Sequence, residues 1–398
     1  MLFRYVPSIV VLCVMLCLTP LVLAQSPYIN KVYEFLPAPG QFTNAMPAFE
    51  EGDDAAAMCL KMEKMITGTK KQVVSLGAWG GYVVFGFDHM VENQSGKLDL
   101  QIWGNAFFSD KTNPSGGGSS EPGIVYVSYD ADGNGLPDDE WYELAGSEYS
   151  STDIRRNYSV TYYRTPADHV ATPDTVNKAF VDTTFVRWKD NEGNEGYIVK
   201  NSFHKQAYYP EWIAEDSLVY KGTRLKNNAR LIGTTYVQYA YDYGYVDNYP
   251  NDNIHSKLNI DWAVDEDGHK VHLPGIHFVK VMTGMQQNCG MIGESSTEVS
   301  GAADLHLTGE AEDDTLAPVK DALPGISSST THLLTTQVYD KIIITTATVE
   351  AVQVWDRQGR LMFSANTRHG TTVLSCPQLN RGLYLIKIGT ETFKFIKQ

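Results

Sequence analysis

The residues from Tyr129 to Glu140 read Tyr-Asp-Ala-Asp-Gly-Asn-Gly-Leu-Pro-Asp-Asp-Glu, which puts side-chain oxygens at positions 1, 3, 5 and 9 of a loop starting at Asp130, with glycine at position 6. A loop in this register wraps calcium, a hard cation that takes six to eight oxygens at about 2.3–2.6 Å. The expected ligands are the side chains of Asp130, Asp132, Asn134 and Asp138 and the carbonyl of Leu136, holding a structural calcium ion. Position 12 is Trp141 where an EF-hand loop carries Glu, so Asp139 or Glu140 is the substitute. A solvated turn rich in Asp, Asn and Gly is the alternative, but so many carboxylates in so short a stretch repel one another without a counter-ion. The turn Asp190-Asn191-Glu192-Gly193-Asn194-Glu195 lacks the register and reads as a hairpin.

Aromatic residues are the second chemical resource. If the stretch from Tyr236 to Tyr245 is a strand, its period of two aligns Tyr239, Tyr241, Tyr243 and Tyr245 on one face. Such a row stacks flat ligand faces, whether sugar rings or a corrin, or else packs a sandwich interior. Trp188, Tyr208, Tyr209 and Trp212 carry the same two readings, with Trp188 and Trp212 the candidate ligand contacts among them. His204, His255, His269, His272 and His277 offer a weaker metal-binding possibility, because no His-x-x-x-His pair falls on a helix. Glu294 with Glu298, or Asp138 with Glu140, makes a conceivable glycosidase pair, but nearness in sequence does not supply the facing separation that chemistry needs. No nucleophile elbow, zincin motif or phosphate loop is present, so no catalytic residue is assigned and the expectation is a binding protein.

The composition narrows the partners. Net charge is −15, from 47 acidic and 32 basic residues without a Lys/Arg run, which argues against nucleic acid or an anionic membrane. At the N-terminus Arg4 precedes an apolar run from Ile9 to Leu23, and Val22-Leu23-Ala24 forms a cleavage pattern, so residues 1–24 are expected to be a signal peptide. The run is shorter than the roughly 20 residues that span a bilayer, so no transmembrane anchor is expected. Cys59 and Cys289 form a candidate disulfide for an oxidising compartment.

These candidates need elements to position them, and the patterning is that of strands: 33 Gly and 17 Pro punctuate short apolar runs while helical periodicity is scarce. One helix is expected over 53–66, where Met58, Met62 and Met65 recur at spacings of four and three. Expected strands include 73–76, 82–87, 98–103, 124–129, 158–163, 197–200, 236–245, 260–264 and 277–283. From Glu310 the chain turns acidic, then Pro- and Ser/Thr-rich, so 310–337 is expected to be a linker. A second strand set follows at 341–346, 351–356, 361–365, 372–374, 384–388 and 392–397. The expected architecture is all-β: a large jelly-roll-like β-sandwich over 25–309 with one short helix, then a small β-sandwich over 338–398.

Two resemblances attach to these parts. Val354-Trp355-Asp356-Arg357-Gln358-Gly359, Leu379-Asn380-Arg381-Gly382-Leu383-Tyr384 and the closing Phe393-Lys394-Phe395-Ile396-Lys397-Gln398 make the last 60 or so residues similar to the C-terminal sorting domain of type IX secretion cargo in Bacteroidetes. That implies recognition by the type IX machinery and a secreted protein attached to the outer cell surface. The segments 76–82, 87–89, 104–107, 121–125, 141–149, 200–204, 209–212, 261–264 and 293–298 resemble a family of Bacteroidetes exported cell-surface proteins, some of them associated with corrinoid uptake systems. The resemblance implies capture of a corrinoid or related nutrient for an outer-membrane transporter; a carbohydrate-binding surface module and a glycan-active hydrolase are the alternatives.

Overall fold

Alternation along the strands decides the layering. In the stretch from Gly275 to Thr283, Val279 and Val281 point into one apolar cluster while Met282 enters another, and all three are essentially inaccessible. A strand apolar on both faces must lie between two layers. The computed structural model describes residues 25–69, 71–110, 114–317, 331–333, 337–338, 341–346, 349–368, 370–389 and 391–397. The expected signal peptide lies outside the described residues.

The elements that frame the site are β1 (Lys31–Leu36), α1 (Ala55–Ile66), β2 (Tyr82–Glu92), β3 (Gly123–Ser128), β4 (Trp141–Leu144), β5 (Arg155–Tyr163), β6 (Phe180–Asp190), β7 (Glu195–Asn201), β8 (Ser217–Arg224), β9 (Ala263–Val264) and β10 (Gly275–Thr283). One antiparallel sheet has the order β1-β2-β10-β3-β4-β9 and a second the order β7-β6-β5-β8. Val281 sits opposite Val83 on one side and Val125 on the other, and Val279 opposite Phe85 and Val127, which makes rows of apolar side chains toward α1. One residue along, Met282, Tyr82 and Ile124 face the second sheet, where they meet Tyr158, Val160, Tyr162, Val186 and Tyr220. Lys280 lies on this inner face with its ammonium 4.0 Å from the centre of the Tyr82 ring, an aromatic contact that offsets part of its desolvation.

Helix α1 forms as expected. Asp54 accepts a hydrogen bond from the Ala57 amide at its start, and Met58, Met62 and Ile66 on one face are buried against the six-stranded sheet. The only other α-helix among the described residues is the single turn Leu305–Thr308. The large body is an all-β sandwich with one short helix.

The expected strand 236–245 is corrected. Pairing stops at Gln238, and beyond it the chain is irregular. Side-chain amides take over there from the ladder: Asn248 both accepts from the Tyr241 amide and donates to its carbonyl, and Asn228 donates to the Tyr239 carbonyl. The row of four tyrosines therefore does not exist. The start of the expected linker is corrected as well. Leu98 donates its amide to the Glu312 carbonyl, Asp314 accepts from Asn259 and from the Trp262 indole, and Ala311, Leu316 and Ala317 pack on the main core. Most of the remaining linker, 318–330 and 334–336, lies outside the described residues.

From Thr331 onward the described strands pair only with one another. Lys341–Thr346 lies between Thr331–Leu333 and Gly370–Ser375, and a second sheet joins Gln337–Val338, Glu391–Lys397, Gly382–Ile388, Ala351–Asp356 and Leu361–Asn366. Ile342, Ile344, Val352, Val354, Ile386 and Phe395 close a separate core between these two sheets.

Candidate functional site

A cavity of about 130 Å³ opens beside the second sheet, where the loop after β10 passes the strands β5, β6 and β7. Tyr162, Trp188 and Gly196 sit side by side on β5, β6 and β7. Gly196 is required there, because a Cβ on it would lie 2.7 Å from the Trp188 ring. Trp79, Tyr197, Ile198 and Met285 complete an aromatic and aliphatic wall, and Gln286, Gln287, Asn288, Glu294 and Ser295 supply the polar side. Tyr197 and Asn288 are exposed at the rim, whereas Trp79 is wholly buried.

The polar atoms of this wall are incompletely paired. Glu294 is 6 % exposed; its Oε1 accepts from the Gln41 amide at 2.6 Å, while Oε2 has no hydrogen-bond partner among the described residues. Gly40 makes room for this carboxyl, since a Cβ there would approach Oε1 to 2.5 Å. Burial pushes the Glu294 carboxyl up to about 7, against the lowering effect of its backbone hydrogen bonds. The Trp79 indole N–H is likewise unpartnered. Tyr158 donates its hydroxyl to Asp190 at 2.7 Å and also meets the Gln286 side-chain amide, whose other terminal atom is left unpaired. Three of the lining residues, Trp79, Gln286 and Glu294, thus each carry one polar atom that is closed to solvent and has no hydrogen-bond partner among the described residues.

Behind the cavity lies an acidic group of half-buried Glu121 with buried Asp247 and Glu298, one oxygen of each within 4.8 Å of the others. Asp247 accepts from the amides of Asn105, Ala106 and Glu298, and Glu121 accepts from the Ser296 amide and the Gln238 side chain. Burial, then mutual repulsion, pushes Glu121 up to about 8 and Glu298 well above the carboxylate range; burial raises Asp247 to about 6. Glu298 thus belongs with these residues and does not line the cavity, where Glu294 is the sole carboxyl among the lining residues. The Glu294/Glu298 glycosidase pair is not assembled.

The Asp130 loop brings Asp130, Asp132 and Asp139 within the same 4.8 Å. Asp130 accepts from the amides of Gly133, Asn134 and Gly135, and Asp139 from that of Ala131. Asn134 turns its oxygen to the Leu136 amide and its nitrogen to Asp132 and Asp138, so Asp138 pairs with Asn134 while Asp139 joins the acidic group. Burial, and then the charges of Asp132, Asp130 and Asp138, raise Asp139 above its ordinary value. His277 Nδ1 accepts the Asp130 amide at 3.1 Å and braces the loop from β10.

Among the other expected site residues, Trp188 lines the cavity. Trp212 instead stacks on Phe35 and Phe49 in the core. Tyr241 and Tyr245 pack edge to face, Tyr243 packs on Trp262, and Arg230 covers Tyr239. Tyr239 and Tyr241 do border a second hollow of about 250 Å³, but none of the unpartnered buried side-chain atoms among the described residues lies there. His255, His269 and His272 each pair with a different carboxylate, Asp242, Asp265 and Asp261, and belong to neither of the acidic groups among the described residues whose oxygens converge. The expected Cys59–Cys289 disulfide is corrected: both are free thiols, Cys59 beside β1 and Cys289 buried against Ser295. Sequence reasoning missed Trp79, Tyr162, Tyr197 and Gln286. The run of Gln286, Gln287 and Asn288 shortly before Glu294 was the available signal.

No family model and no characterised protein sequence matches this chain. Among solved structures, Faecalibacterium prausnitzii β-glucuronidase aligns over 77 % of this chain and 46 % of its own, at 10 % identity and a TM-score of 0.15. This chain thus spans less than half the length of that enzyme, and a likeness so slight carries no argument about fold or chemistry.

Proposed function

We propose that this chain is an exported ligand-binding protein of the cell surface, with the Trp79–Trp188–Glu294 cavity as its site. The observation that carries the proposal is an aromatic and aliphatic wall met by the polar side chains of Gln286, Gln287, Asn288, Glu294 and Ser295 in one hollow. Binding sites are largely apolar with a few placed polar groups, and this cavity has that composition. Its volume of about 130 Å³ lies below the roughly 300–1,000 Å³ of sites for drug-sized ligands, which favours a small ring over a corrin macrocycle. The test is a screen of small polar rings, haem and corrinoids against the full chain, followed by the fluorescence of Trp79 and Trp188. Small rings are expected to perturb it and corrinoids to leave it unchanged; the reverse outcome would restore corrinoid capture for an outer-membrane transporter.

The remainder of the proposal concerns delivery and cohesion. Residues 338–398 act as the type IX sorting domain that brings the large body to the surface, supported by the separate core of the described strands there and by the motifs quoted above. Among the described residues no helix is long and apolar enough to cross a membrane. Deleting 338–398 is expected to abolish labelling of the protein on intact cells. The Asp130 loop holds a structural calcium through Asp130, Asp132 and Asp139, supported by the convergence of their oxygens on an otherwise self-repelling group.

A further inference from the structure

We propose that the second hollow, of about 250 Å³ between segments 226–230 and 239–241, is a further binding site, and that it takes the carboxylate of a small organic monoanion on Arg230 with Lys226 and Asn227 beside it. The chain carries 47 acidic against 32 basic residues, yet this hollow is lined by Lys226 and Arg230 and by no carboxylate. The Arg230 guanidinium lies 4.6 Å from the centre of the Tyr239 ring and has no carboxylate partner among the described residues. That contact holds the guanidinium over the ring but consumes none of its N–H donors, so the forked edge that pairs with a carboxylate stays free. Arg230 and Asn227 are exposed and the Lys226 side chain is 40 % exposed, so a ligand in the hollow reaches all three from solvent.

The same ties that end the expected tyrosine strand build the frame of this hollow. Tyr241 donates its hydroxyl to the Lys226 carbonyl, Tyr239 its amide to the Asn228 carbonyl at 3.3 Å, and Asn228 its side-chain amide to the Tyr239 carbonyl at 2.8 Å. These bonds cross-link the two walls, so the site is formed before a ligand arrives and the cost of ordering it on binding is small. They also occupy three of the carbonyl oxygens along the hollow, which leaves the donors of Arg230, Lys226 and Asn227 in excess. A cation would meet two like charges there, and a neutral hydroxyl compound would find few acceptors for its protons. Lys226 already pairs with Glu148 at 2.8 Å, so the charge left unbalanced is that of Arg230 alone. A monoanion matches it, whereas a dianion such as phosphate brings surplus negative charge beside Glu148.

The experiment titrates the full chain with acetate and benzoate, with methyl benzoate, benzylamine and inorganic phosphate as contrasting probes, and follows broadening of the proton or phosphorus resonances of each. At least one of the two carboxylates is expected to bind with a Kd on the order of 1 mM, and the ester and the amine are expected not to bind. Arg230→Ala, at an exposed position where loss of folding is not at issue, should weaken the carboxylate about tenfold. Arg230→Lys should recover only part of that, since an ammonium keeps the charge without the fork. Trp188→Ala should leave the carboxylate unaffected, because Trp188 lines the first cavity and not this hollow. Carboxylate binding unaltered in Arg230→Ala would overturn the proposal, and so would a loss confined to Trp188→Ala, which would put the carboxylate in the first cavity. Equal binding of methyl benzoate would remove charge as the basis of recognition, and tighter binding of phosphate would remove the monoanion; either result overturns the proposal. Absence of broadening with every probe overturns it as well, while leaving the first cavity as the site to be judged by its own screen.

Discussion

Among the described residues carboxylates gather twice, each time with three oxygens within 4.8 Å, and the repulsion is resolved in opposite ways. Asp247 and Glu298 are buried and Glu121 half-buried with its carboxyl turned inward to them, so desolvation raises all three and protons neutralise them most readily. Backbone amides of Asn105, Ala106, Ser296 and Glu298 satisfy the charge that remains. In the Asp130 loop Asp132 is exposed and Asp130 only partly covered, so water reaches the group and a cation can enter. Proximity of carboxylates thus does not by itself define a metal site; solvation decides between a proton and an ion.

The comparison breaks most visibly at Asp247. Asp247→Ala orphans three buried amides at once, each worth about 1–3 kcal/mol when unmet, and relief of the repulsion returns only part of that. A loss of about 3–5 kcal/mol is expected, measured by urea unfolding. A loss under about 1 kcal/mol would mean that the buried group is not held together by this residue.

The pH dependence of the two groups should differ in kind. A carboxyl whose folded pKa is raised binds protons more tightly when folded, so its contribution is fully present below its unfolded pKa and disappears as pH rises through the folded value. Glu121, raised from 4.5 to about 8, sets a window between those values in which stability falls with rising pH; Glu294 and Glu143, each raised to about 7, act in the same direction. Asp182 and Asp190, which are lowered, lose their contributions only at more acid pH. The melting temperature should therefore decline between about pH 5 and 8, and Glu121→Gln should flatten the decline. An equally steep decline in that variant would move its origin to other groups.

Legibility in the sequence followed the range of the interactions. Helix α1 was readable because Met58, Met62 and Met65 recur at spacings of four and three after an acidic start, although Ile66 and not Met65 is the third fully buried side chain. Strands such as Gly123–Ser128 and Gly275–Thr283 were readable from apolar density. The Tyr239–Tyr245 row misled because alternation in composition was read as backbone geometry, whereas Asn228 and Asn248 fix that segment through contacts to its peptide groups. The cavity was the least legible part. Trp79, Tyr162, Trp188 and Glu294 lie far apart in the chain and meet only through pairing of β5 with β6 and passage of the 285–295 loop beside them. Of these, Trp188 stood out as a candidate by residue type alone, and Glu294 was named with the wrong partner.

The smallest effects separate the register of the Asp130 loop from its geometry. Extracellular calcium modules bind at about 10⁻⁴–10⁻³ M, so 10 mM calcium should stabilise the protein by about 1–3 kcal/mol, raising the melting temperature by about 2–5 °C in a domain of this size. Asp132→Ala and Asp139→Ala should remove that rise, since both oxygens belong to the converging group. Asp138→Ala should keep most of it, because Asp138 reaches Asn134 and stands outside the group. If Asp138→Ala abolishes the rise and Asp139→Ala spares it, the loop closes on its ion in the sequence register, with Asn134 turned so that its oxygen faces inward. If chelation leaves the wild-type melting curve unchanged, the loop's repulsion is relieved by water and the backbone amides of Ala131, Gly133, Asn134 and Gly135 alone.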